Sequence, residues 1–208
     1  MSSLTAENPD SATVQAALDY CRCDTLVLGC GNELFGDDGF GPAVARQLRC
    51  RADLPASVVA LDVGTSVRQV LFNIVLSPLR PRKIVVVDAV DKGRAPGDVW
   101  TMEARDLPEV KRDDFSMHQL PTSNLLRELN DLCGVQVTCV VGQVTPLPAE
   151  VRPGLSAPVR RAVGRAVEMI LESCQPVAGS ASPCVACFAE QGSRRPAGAS
   201  VVEEQSNG

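Results

Sequence analysis

The stretch that most constrains this chain is LVLGCGNELFGDDGFG, residues 26–41. It begins as an apolar run, passes through a glycine-rich turn and meets two adjacent acids, Asp37 and Asp38, before a helical pattern starts. Glycine adopts backbone conformations that strain other residues, so this turn is expected to be tight. The stretch predicts a buried parallel strand, a tight turn and a helix N-terminus that carries carboxylates. In open α/β sheets, ligands bind at this edge, beyond the carboxyl ends of the strands.

Strand and helix patterns alternate along the rest of the chain. Apolar or β-branched runs predict strands at 25–30, 58–61, 83–90, 99–103 and 135–142. Apolar residues at helical spacing predict helices at 39–50, 67–77, 125–132 and 158–173. This alternation predicts an α/β fold of three layers, α/β/α, with a twisted, mostly parallel sheet of about five strands.

The length of the chain favours one folded domain with an extension at each end. A total of 208 residues is typical of a single α/β core. The first 23 residues are polar with weak periodicity, and the chain becomes rich in Pro, Gly, Ser and Ala after about residue 174. We therefore predict an N-terminal extension at 1–23, an α/β/α domain at 24–174 and a flexible, cysteine-containing tail at 175–208.

Composition argues against several functional classes. The formal net charge of −5 does not indicate binding to nucleic acid or to an anionic membrane. No window approaches the roughly 18 apolar residues of a membrane span, and the N-terminus lacks the pattern of a secretory signal. A cytoplasmic location is expected, where the nine cysteines would mostly be thiols. The pairs Cys21–Cys23 and Cys184–Cys187 have metal-like or redox-like spacing, but their surroundings favour no such role.

Three groups with metal-binding chemistry follow predicted strands or precede a predicted helix. Asp38 follows the first strand, Asp88 lies at the tip of the third, and His118, the single histidine, comes just before a helix. Two carboxylates and an imidazole suit Zn, Ni, Mn or Fe and leave coordination positions open for another molecule. Structural roles are the alternative: either Asp37 or Asp38 could cap the helix, and Asp88 could stabilise a turn.

Two other kinds of site match the sequence less well. A nucleotide-binding turn is indicated by Gly29 and Gly31 after a strand and by Asp62 at the end of the next. However, Leu34 replaces the third glycine of G-x-G-x-x-G, and the acid pair would repel phosphate. A serine or cysteine nucleophile would have only His118 as its base, and no G-x-S-x-G elbow is present.

Four motifs, in this order, resemble those of the hydrogenase maturation endopeptidases, which remove a C-terminal extension from the nickel-containing large subunit of NiFe-hydrogenases. The family signature G-x-G-N-x-L-x-x-D-D/E-G-x-G is matched at 29–41. The other matches are D-x-G-T at 62–65, D-A at 88–89 and S-x-H-x-L at 116–120. The resemblance covers residues 25–173 and leaves the tail without support.

The resemblance implies a nickel-dependent endopeptidase that acts after nickel has been inserted into the precursor. It implies three residues that bind the metal and take part in catalysis, namely Asp38, Asp88 and His118. It also implies three supporting residues that orient these groups or the substrate, namely Asp37, Asp62 and Asn32. The nickel is implied to arrive with the precursor, whose cysteine thiolates already hold it. Lewis-acid action by nickel and general-base action by a carboxylate both stay open.

The resemblance also indicates a partner. The sequence GDDGFGP at 36–42 and the Leu-Pro pair after His118 resemble the branch that serves the coenzyme F420-reducing hydrogenases of methanogens. The implied partner is a NiFe-hydrogenase large-subunit precursor, such as the alpha subunit of an F420-reducing hydrogenase, with neither nucleic acid nor membrane involved. A non-catalytic metal- or nucleotide-binding module on the same fold is the alternative function.

Overall fold

Five strands form one sheet in the computed structural model, which describes residues 20–103, 106 and 123–174. The strands are β1 (Thr25–Cys30), β2 (Val58–Gly64), β3 (Lys83–Val90), β4 (Val99–Glu103) and β5 (Gln136–Gln143). The helices described are α1 (Phe40–Arg49), α2 (Val67–Leu76), α3 (Ser123–Asp131) and α4 (Ala157–Cys174). A short 3-10 helix, Gly36–Gly39, leads directly into α1.

The sheet has the order β2-β1-β3-β5-β4. All neighbouring pairs are parallel except β4 with β5, which is antiparallel. Helices α1 and α4 pack on one face of the sheet, while α2 and α3 cover the other. Every residue of β1 is buried, as expected for a central parallel strand that is covered on both faces. The predicted three-layer α/β/α fold with a mostly parallel sheet is confirmed.

The chain reverses direction across the sheet between β1 and β3. After β1 the chain passes through α1 to β2 on one side, and then through α2 to β3 on the other side of β1. The carboxyl ends of β1 and β3 are therefore the point where the connections diverge, which is where open α/β sheets form a crevice. Asp38 and Asp88 both lie at this edge.

Most element boundaries lie within two residues of the predicted ones, and two differences concern the site. Strand β2 runs to Gly64 instead of ending at Leu61, because Asp62 pairs with Gly29 and Gly64 pairs with Cys30. The helix predicted to start at 39 is preceded by the 3-10 turn, so the acid pair lies inside that turn. None of the described helices is long and apolar enough to cross a membrane.

Several sequence predictions fall in the segments 1–19, 104–105, 107–122 and 175–208, which are outside the described residues. They include His118, the S-x-H-x-L motif and the Cys184–Cys187 pair. The predicted boundaries of the extensions likewise stay predictions.

The start of α1 touches the strands through glycine backbone. A Cβ atom on Gly41 would lie 2.2 Å from the carbonyl oxygen of Cys30 and 2.4 Å from that of Val87. A Cβ atom on Gly29 would lie 2.3 Å from the carbonyl oxygen of Gly41. These distances are shorter than any normal carbon–oxygen contact, so only glycine lets the helix approach β1 and β3 this closely. The approach holds the 3-10 turn, with its two acids, over the ends of the strands.

Replacing Gly41 by alanine is expected to destabilise the fold. The added methyl group meets backbone atoms that cannot rotate away, so we expect a loss of roughly 1–3 kcal/mol of unfolding free energy, measured by urea titration. Gly164→Ala is the matched control, since no atom lies within 4 Å of a Cβ at that position in α4. The control should gain up to about 1 kcal/mol from helix propensity. Equal stability of the two variants would contradict the described contact.

Candidate functional site

Asp88 lies near the carboxyl end of β3, at the switch point of the sheet. Burial raises the pKa of this carboxyl group to about 7; the backbone N–H of Ala89 opposes the rise, and the negative charge of Asp38 adds to it. The Oδ1 atom of Asp88 accepts the hydrogen bond from Ala89 at 2.8 Å. The charge of Asp38 therefore acts on Asp88 across the ends of two neighbouring strands.

Asp38 is held in place by the turn that follows β1. Its Oδ2 atom accepts a hydrogen bond from the backbone N–H of Asn32 at 2.7 Å. The side chain of Asn32 in turn accepts a hydrogen bond from the N–H of Leu34 at 3.1 Å. Gly31 has a φ of 127°, and a Cβ there would lie 1.9 Å from the carbonyl oxygen of Asp38. The glycine and the asparagine of the signature thus fix the position of the acid.

Each of the two carboxylates keeps one oxygen available. Among the described residues, neither Oδ1 of Asp38 nor Oδ2 of Asp88 accepts a hydrogen bond. Two neighbouring carboxylates that lack a nearby cation repel each other, and a shared cation would relieve that repulsion. Oxygen donors of this kind suit a divalent metal ion. The two free carboxylate oxygens at this edge of the sheet are therefore a candidate for part of a metal site.

A complete metal site is not present within residues 20–103, 106 and 123–174. No group of three or more His, Cys, Asp or Glu side chains there is arranged to hold a metal ion. Two of the three predicted ligands, Asp38 and Asp88, are described, and they lie close enough for the charge of Asp38 to act on Asp88. The third, His118, lies outside the described residues, so the three-ligand set stays a prediction.

Asp37 has a structural role that the sequence did not reveal. It is 2% exposed, and its carboxylate accepts hydrogen bonds from the backbone N–H and the hydroxyl groups of both Thr145 and Ser156, at 2.6–3.2 Å. Burial alone would raise the pKa of Asp37, but these four donors outweigh burial and hold the pKa below its usual value. Asp37 thereby ties the 3-10 turn to the segment between β5 and α4.

Neither acid of the pair caps a helix in the described structure. The N-cap residue of α1 is Gly39, and in the described part of the chain no side chain caps the 3-10 helix or α1. Asp37 and Asp38 instead accept hydrogen bonds from three separate loop segments. The structural alternative of a helix cap is therefore wrong for both residues.

The turn after β3 is also fixed by a buried polar group. The side-chain oxygen of Gln143 accepts hydrogen bonds from the N–H groups of Lys92 and Arg94, at 2.9 and 3.1 Å. Its amide nitrogen donates to Asp91 at 2.9 Å and to the carbonyl of Val144 at 3.0 Å. All four hydrogen-bonding positions of this amide are thus used. The segment just beyond Asp88 is consequently held to the end of β5.

Asp62 lies at the end of β2, beside an open cleft of about 340 Å³. The cleft is bounded by the turn after β1, which includes Asn32 and Leu34, and by the turn after β2, which includes Thr65. Arg46 of α1 forms ion pairs with Asp62, at 3.1 Å, and with Glu33. Sequence reasoning singled out Asp62 but missed Arg46 and Glu33, because an ion pair between distant residues leaves no local pattern.

Cys30 lies inside the signature, but its environment does not suit a nucleophile. It is 4% exposed, and its thiol group points back to the carbonyl of Leu28 at 3.7 Å. Burial, together with the negative charge of Asp88, raises the pKa of Cys30 well above its usual value. A reactive cysteine needs a stabilised thiolate, so this thiol is inert.

The fold and site define a class of protein: a doubly wound α/β protein with two carboxylates at the switch point of its sheet. The sequence was compared with known protein families and with characterised proteins, and the matches name one family. The model of the family described as HycI, hydrogenase maturation protease, matches residues 42–173. The coenzyme F420 hydrogenase subunit delta of Methanothermobacter thermautotrophicus is 35% identical over 153 residues, which are 72% of this chain and 93% of that protein.

Two Escherichia coli proteins agree with this result. The hydrogenase 3 maturation protease is 28% identical over 147 residues, covering 67% of this chain and 90% of that protein. The structure of the hydrogenase maturating endopeptidase HybD has a TM-score of 0.57 and 28% identity, over 72% of this chain and 90% of that chain. The chain therefore belongs to the hydrogenase maturation protease family, and it is a peptidase.

Replacing Asp37 by asparagine is expected to weaken the fold. Asparagine offers one oxygen instead of two and places an NH₂ group against donors, so one or two of the groups on Thr145 and Ser156 lose their acceptor. We expect a loss of roughly 1–3 kcal/mol in unfolding free energy by urea titration. The control Asp53→Asn removes an exposed ion pair with Arg51 and should change stability by less than about 1 kcal/mol. Similar losses in the two variants would show that Asp37 does not hold the turn.

Proposed function

We propose that this protein is a nickel-dependent endopeptidase that removes the C-terminal extension of a NiFe-hydrogenase large-subunit precursor after nickel has been inserted. The observation that carries the proposal is the pair of carboxylates at the switch point, each with an oxygen that no described residue uses. Membership of the hydrogenase maturation protease family supplies the reaction class. In this proposal nickel belongs to the substrate, where the precursor's own cysteine thiolates hold it.

Asp38 and Asp88 would contact the nickel of the precursor, and His118 would complete the set. The charges of the two carboxylates repel each other in the free protease and would be neutralised when the nickel arrives, which favours the loaded precursor over the empty one. Bound nickel would supply Lewis-acid assistance to attack on the peptide bond next to it. The fixed turn around Asp38, held by Gly31 and Asn32, would orient this contact.

The proposed partner is the large-subunit precursor of a coenzyme F420-reducing hydrogenase. Support comes from the delta subunit of Methanothermobacter thermautotrophicus, whose name assigns that protein to a coenzyme F420 hydrogenase. Purified precursors of the F420-reducing hydrogenase alpha subunit and of another NiFe-hydrogenase can be offered together. Preferential shortening of the former supports this partner, and preferential shortening of the latter contradicts it.

Nickel loading of the precursor is expected to decide whether cleavage occurs. The purified protease is incubated with nickel-loaded and nickel-free precursor, and the products are measured by intact mass spectrometry. We expect loss of a C-terminal peptide in the loaded sample alone, because the carboxylate pair needs the metal to bind productively. Equal cleavage of both samples would contradict a role for nickel, while no cleavage in either, with tight nucleotide binding, would favour a non-catalytic module.

Asp88→Asn and His118→Ala are both expected to abolish processing without unfolding the protein. Asparagine removes a partly buried charge that has no partner cation among the described residues, so the melting temperature of Asp88→Asn should be unchanged or higher. Processing should fall by at least about 100-fold for each variant, as measured by single-turnover assays with loaded precursor. Asp24→Asn, an exposed aspartate just before β1 at the opposite edge of the sheet, is the control and should process normally. Normal processing by Asp88→Asn would remove this carboxylate from the mechanism.

A further inference from the structure

Arg46 joins two loops that meet at the edge of the sheet. Its Nη1 atom forms an ion pair with Oδ2 of Asp62 at 3.1 Å, and its Nη2 atom pairs with Oε1 of Glu33. Glu33 belongs to the turn after β1, and Asp62 belongs to the end of β2. One guanidinium group on α1 thus holds together two segments that are far apart in the sequence. The planar fork of arginine suits this double contact, whereas lysine carries a single point charge.

Hydrogen bonds, together with short stretches of backbone, connect Arg46 to Asp38. The Oδ1 atom of Asp62 accepts a bond from the N–H of Gly64 at 3.2 Å, and the carbonyl of Gly64 accepts a bond from the N–H of Gly31 at 3.1 Å. The next residue, Asn32, donates its N–H to Asp38 at 2.7 Å. A change at the guanidinium group can therefore shift the turn that sets the position of the Asp38 carboxylate.

The same two loops form the walls of the cleft next to Asp38. Residues 31–34 line one side, and residues 62, 64 and 65 line the other, around about 340 Å³. Leu34, on the first wall, is 51% exposed although it is a large apolar side chain. The ion pairs of Arg46 connect these walls in addition to the Gly31–Gly64 hydrogen bond, so they help to set the width of the cleft.

We propose that Arg46 is a positioning residue of this peptidase: by bridging Glu33 and Asp62 it fixes the turn that orients Asp38 and the cleft beside it. This inference rests on the proposed function, because it assumes that Asp38 contacts the nickel of the precursor. Stability accounts for little of the arrangement, since the side chains of the two pairs are partly in solvent, 42% for Arg46, 53% for Glu33 and 28% for Asp62. Exposed ion pairs contribute little to folding.

The chain contains a matched control in Arg51. This arginine also bridges two carboxylates, with Nε and Nη2 on Asp53 at 2.8 Å and Nη1 on Glu168 at 2.9 Å. Its side chain is 33% exposed, close to the exposure of Arg46. Its two partners belong to neither of the loops around the cleft. Arg51→Gln therefore removes a comparable pair of ionic contacts without touching the chain of hydrogen bonds to Asp38.

The test compares Arg46→Gln with Arg51→Gln on nickel-loaded precursor. We expect kcat/KM of Arg46→Gln to fall by about tenfold, with most of the fall in kcat, because misplacing a reacting group by a fraction of an ångström slows the chemical step. Arg51→Gln should process at the wild-type rate, and the two variants should have similar melting temperatures. Arg46→Lys should resemble Arg46→Gln, since it cannot bridge both carboxylates. Adding Asp62→Asn to Arg46→Gln should lower kcat/KM little further, because both substitutions remove the same Arg46–Asp62 contact.

Each outcome separates this inference from the proposed function. Wild-type protease that does not shorten loaded precursor contradicts the proposed function itself. Wild-type that processes, together with equal rates for Arg46→Gln and Arg51→Gln, overturns the role of Arg46 alone. Full activity of Arg46→Lys would show that the double contact of arginine is not needed. If the losses in kcat/KM from Arg46→Gln and Asp62→Asn add up in the double variant, Arg46 does not act through Asp62. If Arg46→Gln folds poorly, Glu33→Gln, which breaks one of the two ion pairs, replaces it and should show a smaller fall in kcat.

Discussion

The contact between the backbone of α1 and the ends of β1 and β3 is the constraint on which the site depends. Glycine at positions 29 and 41 lets carbonyl oxygens and Cα atoms approach to distances that any side chain would forbid. The 3-10 turn that precedes α1 is thereby held directly over the switch point of the sheet. Without this approach, Asp38 would stand farther from Asp88, and its charge would act less strongly on that carboxyl group.

Two adjacent acids serve opposite purposes because their surroundings differ. Asp37 is buried and satisfied by four donors from Thr145 and Ser156, so its charge is fully compensated within the protein. Asp38 is partly exposed and has one described donor, Asn32. The first acid anchors the turn, and the second keeps an oxygen for a ligand. A pair of like charges at neighbouring positions is thus stable because one member is used entirely by the fold.

Much of the fold follows from local sequence patterns. The β-branched run that became β3 and the helical spacing in α4 gave boundaries within about one residue of those observed, because parallel strands and amphipathic helices are set by periodicity. The extension of β2 to Gly64 was missed because Asp62 and Gly64 are poor strand formers in isolation, and pairing with β1 overrides that preference.

The site was only partly predictable. The placement of Asp38 and Asp88 near each other followed from the rule that parallel strands bring their carboxyl ends to one edge, while their role as ligands stays a prediction. The partners of Asp37 lie 108 and 119 residues away, and nothing in local spacing points to Thr145 or Ser156. The ion pairs of Arg46 were likewise invisible, since charged residues on a helix face usually contact only water. Tertiary contacts of this kind require coordinates.

The most direct test of the central claim is nickel-edge X-ray absorption of loaded precursor, alone and in complex with the protease at a temperature that slows cleavage. The account predicts that the protease adds oxygen or nitrogen ligands to a nickel ion held by thiolate sulfur, and that an Asp38→Asn, Asp88→Asn double variant adds none. An unchanged nickel spectrum in a complex that goes on to cleave the precursor would contradict it.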